Sequence, residues 1–94
     1  MMLKAVMDTE KGNEAIRNGS LGEIIEGVVE RIQPEAAYFA GEDGQRACFM
    51  VFDMTDSSQL PVISEPLVQS GGARITITPC MNLDDLPKGL TQAQ

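Results

Sequence analysis

The sequence predicts an α+β domain: two helices cover one face of a four-stranded antiparallel sheet, and the other face is left for a partner. Three observations predict it. Apolar residues repeat at helical spacing over residues 20–32, and residues 35–54 form two strand-like runs joined by Asp43-Gly44. The run Ala47–Phe52 is apolar without alternation. A strand that is solvated on one face alternates apolar and polar residues, so this run predicts burial on both faces.

The first half of the chain begins with Leu3–Asp8, which alternates weakly and predicts a first strand. The polar segment Asp8–Asn18 predicts an irregular turn or a short helical lead-in. Ser20 is predicted to cap the first helix, with Glu23 three residues later completing a capping box, and Pro34 is predicted to end it. The buried stripe of this helix is predicted to hold Leu21, Ile24, Ile25, Val28, Val29 and Ile32.

The second half begins at Asp43-Gly44, which predicts a two-residue hairpin turn between the second and third strands. Residues 56–58 offer N-cap side chains for a second helix that ends at Gly71-Gly72. Pro66 is expected to bend or interrupt this helix, because proline cannot donate the intrahelical hydrogen bond. Its buried face is predicted to hold Leu60, Ile63, Leu67 and Val68.

A fourth strand is predicted over Arg74–Cys80, where apolar and polar residues alternate. Pro79 favours a position at the sheet edge, since it has no N–H group for a neighbouring strand. Asn82 is predicted to cap a short closing turn over residues 83–90, and residues 91–94 are predicted to be a loose tail. The whole chain, residues 1–94, is therefore expected to be one domain with a structured core over about residues 2–90.

The element order is strand, helix, strand, strand, helix, strand. This is the ferredoxin-like βαββαβ arrangement, an antiparallel sheet of order 4-1-3-2 with both helices on one face. A two-residue turn pairs Glu42 with Gln45 and Tyr38 with Phe49, whereas a three-residue loop would exchange the two faces. With the shorter turn, the helix side of the hairpin carries Phe39, Cys48, Met50 and Phe52. The open side carries Tyr38, Ala47, Phe49, Val51 and Asp53.

An open face with this much apolar surface predicts a homodimer in which two sheets pack against each other. Each large side chain so covered stabilises the assembly by about 1.5–3 kcal/mol. A monomer would expose an apolar patch of a kind that soluble monomers avoid.

Composition excludes several classes of function. The net charge is −7, with scattered basic residues, which argues against nucleic acid and anionic membrane surfaces as partners. The chain has no histidine, so no imidazole is available for catalysis, haem or zinc, and we expect no cofactor and no metal. No apolar run reaches the length of a membrane span, and no signal segment is recognisable, so the cytoplasm is the expected location. Cys48 and Cys80 are expected to be reduced. The strands that carry them are separated by a third strand and so lie about 9.5 Å apart, which is too far for a disulfide.

Over residues 2–90 the chain resembles the dimeric α/β-barrel superfamily of ferredoxin-like proteins in its element order. Four segments look like the signatures of a group of small uncharacterised bacterial proteins: residues 34–39, 51–53, 61–67 and 79–86. The resemblance implies a homodimer with cavities between sheet and helices. The superfamily includes cofactor-free monooxygenases, muconolactone isomerase-like enzymes, haem enzymes and ligand-binding domains of regulators. The chain lacks the histidine and tryptophan of the active branches, so no activity is carried over.

The candidate ligand-binding residues are Tyr38, Phe49, Asp53 and Arg74, which could hold the polar end of a ligand over an apolar floor. The alternative is structural: Tyr38 is a core aromatic residue, and Asp53 ends a strand and pairs with Lys4 or Arg74. No residue is assigned a catalytic role. The function predicted first is a non-catalytic homodimeric module, able to bind a small, partly apolar molecule. A cofactor-free monooxygenase- or isomerase-like enzyme and an accessory protein-binding subunit are the alternatives.

Overall fold

The computed structural model describes residues 1–94 as an α+β fold with four strands and four helices. This confirms the predicted fold class, and the arrangement is compatible with a ferredoxin-like fold. The strands are β1 (Met2–Val6), β2 (Ala36–Glu42), β3 (Gln45–Val51) and β4 (Arg74–Thr78). The helices are α1 (Thr9–Arg17), α2 (Ser20–Ile32), α3 (Gln59–Gly71) and α4 (Asp85–Gln92).

The sheet is antiparallel with the order β2-β3-β1-β4, which is the predicted order 4-1-3-2 counted from the other edge. The predicted hairpin register is confirmed, because Glu42 lies opposite Gln45 and Tyr38 lies opposite Phe49. Asp43 and Gly44 have positive φ angles of 51° and 78°. Such a turn needs two residues that tolerate the left-handed region, which Asp-Gly supplies. The structure thus excludes the three-residue loop, which would have moved each residue of the hairpin to the opposite face of the sheet.

The hydrophobic core lies between α2, α3 and one face of the sheet, as the pattern predicts. Leu3 and Met50 are completely buried on this face, and Ile63 and Leu67 of α3 meet them from above. Cys48 and Phe52 share the face of Met50, because alternate residues of a strand point the same way. Tyr38 and Phe49 lie on the opposite face, which none of these core helix residues covers.

The first helical region differs from the prediction at its start. Residues 9–17 form a regular helix, capped by the Asp8 carboxylate, which accepts a hydrogen bond from the Lys11 N–H at 3.1 Å. The predicted capping box at Ser20 is wrong, since α2 has no side-chain cap. The chain reverses between the two helices at Gly19, with φ of 78°, so Ser20 is already helical and cannot serve as the cap.

Pro66 lies inside α3 without interrupting it, so of the two predicted effects, a bend or an interruption, the interruption is wrong. Proline has no N–H group to donate to the carbonyl four residues earlier, which here belongs to Val62. That carbonyl accepts a hydrogen bond from Arg31 Nη1 of α2 at 3.3 Å. A contact between two helices thus replaces the missing hydrogen bond within one helix.

The C-terminal segment leaves the sheet after Thr78. Strand β4 ends before Pro79, two residues earlier than predicted. The predicted cap residue Asn82 orders the turn before the next helix, because its Oδ1 accepts hydrogen bonds from the N–H groups of Asp84 and Asp85 at 2.9 and 2.8 Å, but the N-cap position itself is Asp84. Helix α4 extends to Gln92, into the segment predicted as a tail. Every residue from 79 to 94 is exposed, and none of the four helices is long and apolar enough to cross a membrane.

Candidate functional site

The main cavity lies on the helix side of the sheet, between the β2–β3 hairpin and helices α1 and α2. It has a volume of about 640 Å³ and opens to solvent along one side. Strand β2 is an edge strand, and the core residues of the helices pack over β1 and β3 instead. The helix side of β2 therefore stays uncovered, and Phe39 is 58% exposed there. The lining consists of Met7, Thr9, Asn13, Leu21, Ile25, Phe39, Ala40, Gly41, Gly44, Gln45, Arg46, Ala47 and Cys48.

Apolar side chains form the wall of this cavity. Leu21 and Ile25 come from successive turns of α2, and Phe39 faces them from β2. The sequence pattern assigned all three to the helix side, where they were expected to be covered. Val28 and Ile32 are buried in the core, whereas Leu21 and Ile25 at the start of α2 pack against its margin and stay partly exposed. The cavity is the space left over the uncovered edge strand.

Arg46 is the one charged residue of the lining. It lies on β3 two residues before Cys48, and so it shares the helix side of the sheet. Its side chain reaches over α1 at Gly12, where an added β-carbon would lie 3.2 Å from Arg46 Nη1. The guanidinium makes no ion pair and donates no hydrogen bond within the chain.

Cys48 forms part of the cavity floor. Burial raises the pKa of its thiol, although a hydrogen bond with the Ala5 backbone acts in the opposite direction. A neutral, buried thiol is a weak nucleophile, because the thiolate is the reactive form. The structure thus favours the predicted structural interpretation of Cys48 as a small apolar residue. Cys80 is exposed, and the two cysteines are not bonded to each other.

The predicted ligand-binding residues lie away from this cavity and do not form one group. Tyr38 and Phe49 are cross-strand neighbours on the open face. Arg74 lies at the far edge of the sheet, where its Nη2 donates to Gln45 Oε1 at 3.2 Å. Asp53 lies beyond the end of β3, at the opposite end of the sheet from Arg74. The structure thus brings together Tyr38 and Phe49, and it separates Asp53 and Arg74 from them and from each other.

The structural alternative for Asp53, an ion pair with Lys4 or Arg74, is not formed. Lys4 forms an ion pair with Glu42, with 2.6 Å between Nζ and Oε2, and no ion pair forms at Asp53. The reason is the register, which directs Lys4 across the open face toward the hairpin end of the sheet. Asp53 lines a shallow second depression of about 380 Å³ beside Glu35 and Cys80. No cluster of three or more potential metal ligands is present, there or elsewhere in the chain.

Sequence reasoning missed Arg46 and Phe39 as candidate site residues. The signal for Arg46 was available, because the predicted register places it on the same side as Cys48, Met50 and Phe52. A charged residue on an otherwise apolar, inward-facing row is unusual and points to a special environment. The signal for Phe39 was not available, since its exposure depends on where the helices lie.

Comparisons of the chain with models of known protein families, with curated proteins and with solved structures found no match.

Proposed function

We propose that this protein is a non-catalytic homodimeric module that binds a small, partly apolar molecule in the cavity between the β2–β3 hairpin and helices α1 and α2. The observation that carries the proposal is the cavity itself. Its volume of about 640 Å³ falls within the range of about 300–1,000 Å³ that is typical of small-molecule sites. Apolar walls with a few polar groups are also typical of such sites.

The arrangement of the polar groups supports binding rather than catalysis. Acid–base chemistry needs a titratable group within hydrogen-bond reach of the substrate. The guanidinium of Arg46 has N–H donors and no proton acceptor, and the raised pKa of Cys48 disfavours its thiolate. The groups that line the cavity are therefore suited to recognising a ligand and holding it.

The homodimer is supported by the open face of the sheet. Tyr38 is 68% exposed there, and its neighbours Phe49 and Val51 are only partly covered. Packing two such faces together would bury these side chains in a shared interior and leave both cavities accessible on the outer, helix-covered sides. The resulting architecture is that of a dimeric α/β barrel, the superfamily that the element order resembles.

An accessory protein-binding subunit is the second candidate function, favoured by the C-terminal segment. The apolar residues of this segment are all exposed, with Leu83 at 90%. Leu86 and Leu90 lie one turn apart on α4, and exposed apolar side chains at this spacing can lie in a groove of another protein. The residues concerned are Met81, Leu83, Leu86 and Leu90.

The test uses N-phenyl-1-naphthylamine, an uncharged dye whose fluorescence rises in apolar surroundings. The wild-type protein is expected to bind the dye, and the variant Leu21→Trp, which fills the cavity, is expected to lose it. Val68→Trp is the matched control, because Val68 is an exposed residue of α3 outside the cavity lining. Thermal melts establish that both variants fold. Equal dye binding by all three proteins would place the apolar site elsewhere and refute the proposal.

A further inference from the structure

We propose that the ligand of this cavity is a monoanionic, largely apolar carboxylic acid, whose carboxylate is bound by Arg46. The inference rests on the proposed function and names the ligand class that the same site selects. It is carried by the charge of the lining, by the position of Arg46 and by the free hydrogen-bond donors beside it.

The charge of the lining is opposite to that of the chain. The chain has 14 acidic and 7 basic residues, yet the cavity contains one cation and no carboxylate. Acidic side chains could readily neutralise an arginine on so acidic a protein. The chain forms one ion pair, between Lys4 and Glu42 on the other face, and of the basic residues left unpaired only Arg46 lines the cavity. Arg46 is therefore left as an unneutralised positive charge beside an apolar wall, which favours an anion there.

The position of Arg46 suits the binding of a carboxylate. Its guanidinium presents N–H donors in a planar fork that can bind both oxygens of a carboxylate at once. Gly12 lets the guanidinium lie directly against α1, because any β-carbon there would come within 3.2 Å of Nη1. Arg46 is exposed, so its guanidinium is accessible to a ligand in the cavity.

Two further polar side chains line the cavity next to this cation. Thr9 and Asn13 lie on the first two turns of α1, and neither side chain forms a hydrogen bond within the chain. Their hydroxyl and amide groups can donate to an oxygen of the ligand. Gln45 cannot do so freely, because its side chain already bonds the Met7 carbonyl and Arg74.

The rest of the ligand follows from the same lining. One arginine compensates one negative charge, and the net charge of −7 opposes the approach of a dianion such as a phosphate monoester. The body of the ligand contacts Leu21, Ile25 and Phe39, and so it is apolar. An aryl or medium-chain alkyl carboxylic acid combines these properties.

The experiment compares three probes with one apolar body and different charges: 2-naphthoate, 2-naphthalenemethanol and 2-naphthylmethylammonium. Affinities are measured by isothermal titration calorimetry at pH 7 and low salt. We expect 2-naphthoate to bind roughly 10- to 100-fold more tightly than the alcohol, which is the range for a hydrogen bond to a charged group. The ammonium probe is expected to bind most weakly.

Variants then separate the charge from the cavity. Arg46→Gln is expected to abolish the preference for 2-naphthoate while keeping the affinity for the alcohol. Arg17→Gln removes an equal charge from an exposed site on α1 outside the cavity, and it is expected to keep the preference. If the alcohol and 2-naphthoate bind equally, or if Arg46→Gln keeps the preference, the assignment of an anionic ligand is wrong, although the apolar site stands. If no probe binds, or if Leu21→Trp leaves all three affinities unchanged, the proposed function fails as well.

Discussion

The homodimer can be tested with two neighbouring residues of β3 that face opposite sides of the sheet. Phe49 lies on the open face, where no helix covers it, and Met50 lies on the helix side with no exposed surface. We expect Phe49→Asp to dissociate the dimer and leave each chain folded, whereas Met50→Asp unfolds the chain. The same substitution at adjacent positions thus gives two different outcomes.

The magnitude follows from how much of each side chain is already covered. Phe49 is partly covered in the single chain, so an interface gains about 0.5–1 kcal/mol from each copy. An aspartate carboxylate trapped there without a partner costs a further 1–3 kcal/mol, approximately. A two-fold interface contains the residue twice, so dissociation is favoured by at least about 3 kcal/mol, or roughly 100-fold in Kd.

The chain itself should tolerate Phe49→Asp, because in the single chain the new carboxylate faces solvent, although the nearest cation, Lys4 on β1, is already paired with Glu42. At Met50 the same carboxylate has neither water nor a cation. Its cost of several kcal/mol is comparable with the whole stability of a small domain.

Sedimentation equilibrium at micromolar concentration and thermal melts measure the two effects separately. Glu26→Lys, on the exposed side of α2, is the control and should change neither. A wild-type protein that sediments as a 10.1 kDa monomer would refute the dimer. A Phe49→Asp protein that remains dimeric would show that the interface is not the open face.

Further predictions concern glycine, cysteine and the C-terminal segment. Gly72→Ala should destabilise the fold by at least about 1 kcal/mol, because φ is 59° and the new methyl would lie 2.8 Å from the Lys11 side chain. In contrast, Gly27→Ala should stabilise it by up to about 1 kcal/mol, since nothing lies within 4 Å of a β-carbon at that helical position. Urea denaturation measures the free energy of unfolding of both variants, and equal effects of the two substitutions would contradict the backbone geometry. Ellman's reagent should react at once with Cys80, and with Cys48 only on unfolding. Because the pKa of Cys48 is raised in the fold, this thiol contributes to stability below its unfolded-state pKa of about 8.5. The contribution is lost as the pH rises from there through the folded-state pKa, with a slope of at most about 1.4 kcal/mol per pH unit. The loss of stability at alkaline pH should therefore be smaller in Cys48→Ala than in Cys80→Ala. An equal loss in the two variants would refute the assignment of this pH dependence to Cys48. Deleting residues 82–94 should change the free energy of unfolding by less than about 0.5 kcal/mol, because every deleted residue is exposed; a large loss would mean that the segment packs against another chain.

Much of the fold could be predicted from the sequence because its signals are local. Asp43-Gly44 determined the turn, the turn determined the register, and the register assigned each hairpin residue to a face. The capping box at Ser20 failed because a cap depends on whether the preceding residues are helical, and the polar segment 9–17 buries only two small residues, Gly12 and Ala15. The continuity of α3 through Pro66 could not be read from the sequence, since the carbonyl that proline leaves unpaired accepts its hydrogen bond from Arg31, a residue of another helix.

The candidate site was less predictable than the fold. The register places Tyr38 and Phe49 on one face, but it does not say which part of the sheet the helices leave uncovered. That depends on where α2 crosses the sheet, and it determines the exposure of Phe39. The charge of Arg46 and its orientation could both be derived from the sequence. What could not be derived was that no acidic side chain of so acidic a chain would pair with it.

The central position of β1 has a consequence for the folding pathway. Met2 pairs with Val51 on one side and with Thr78 on the other, so both neighbours of the first strand lie far along the chain, and one of them, β4, is the last strand. Contacts between residues so distant in sequence slow folding, because the entropy of closing a long loop is lost before the strand pairing can stabilise the chain. Until β4 adds to the sheet, β1 is an edge strand with unpaired backbone groups. During refolding at high concentration, β4 of a second chain competes for this edge, and strand-exchanged oligomers become the characteristic misfolded product.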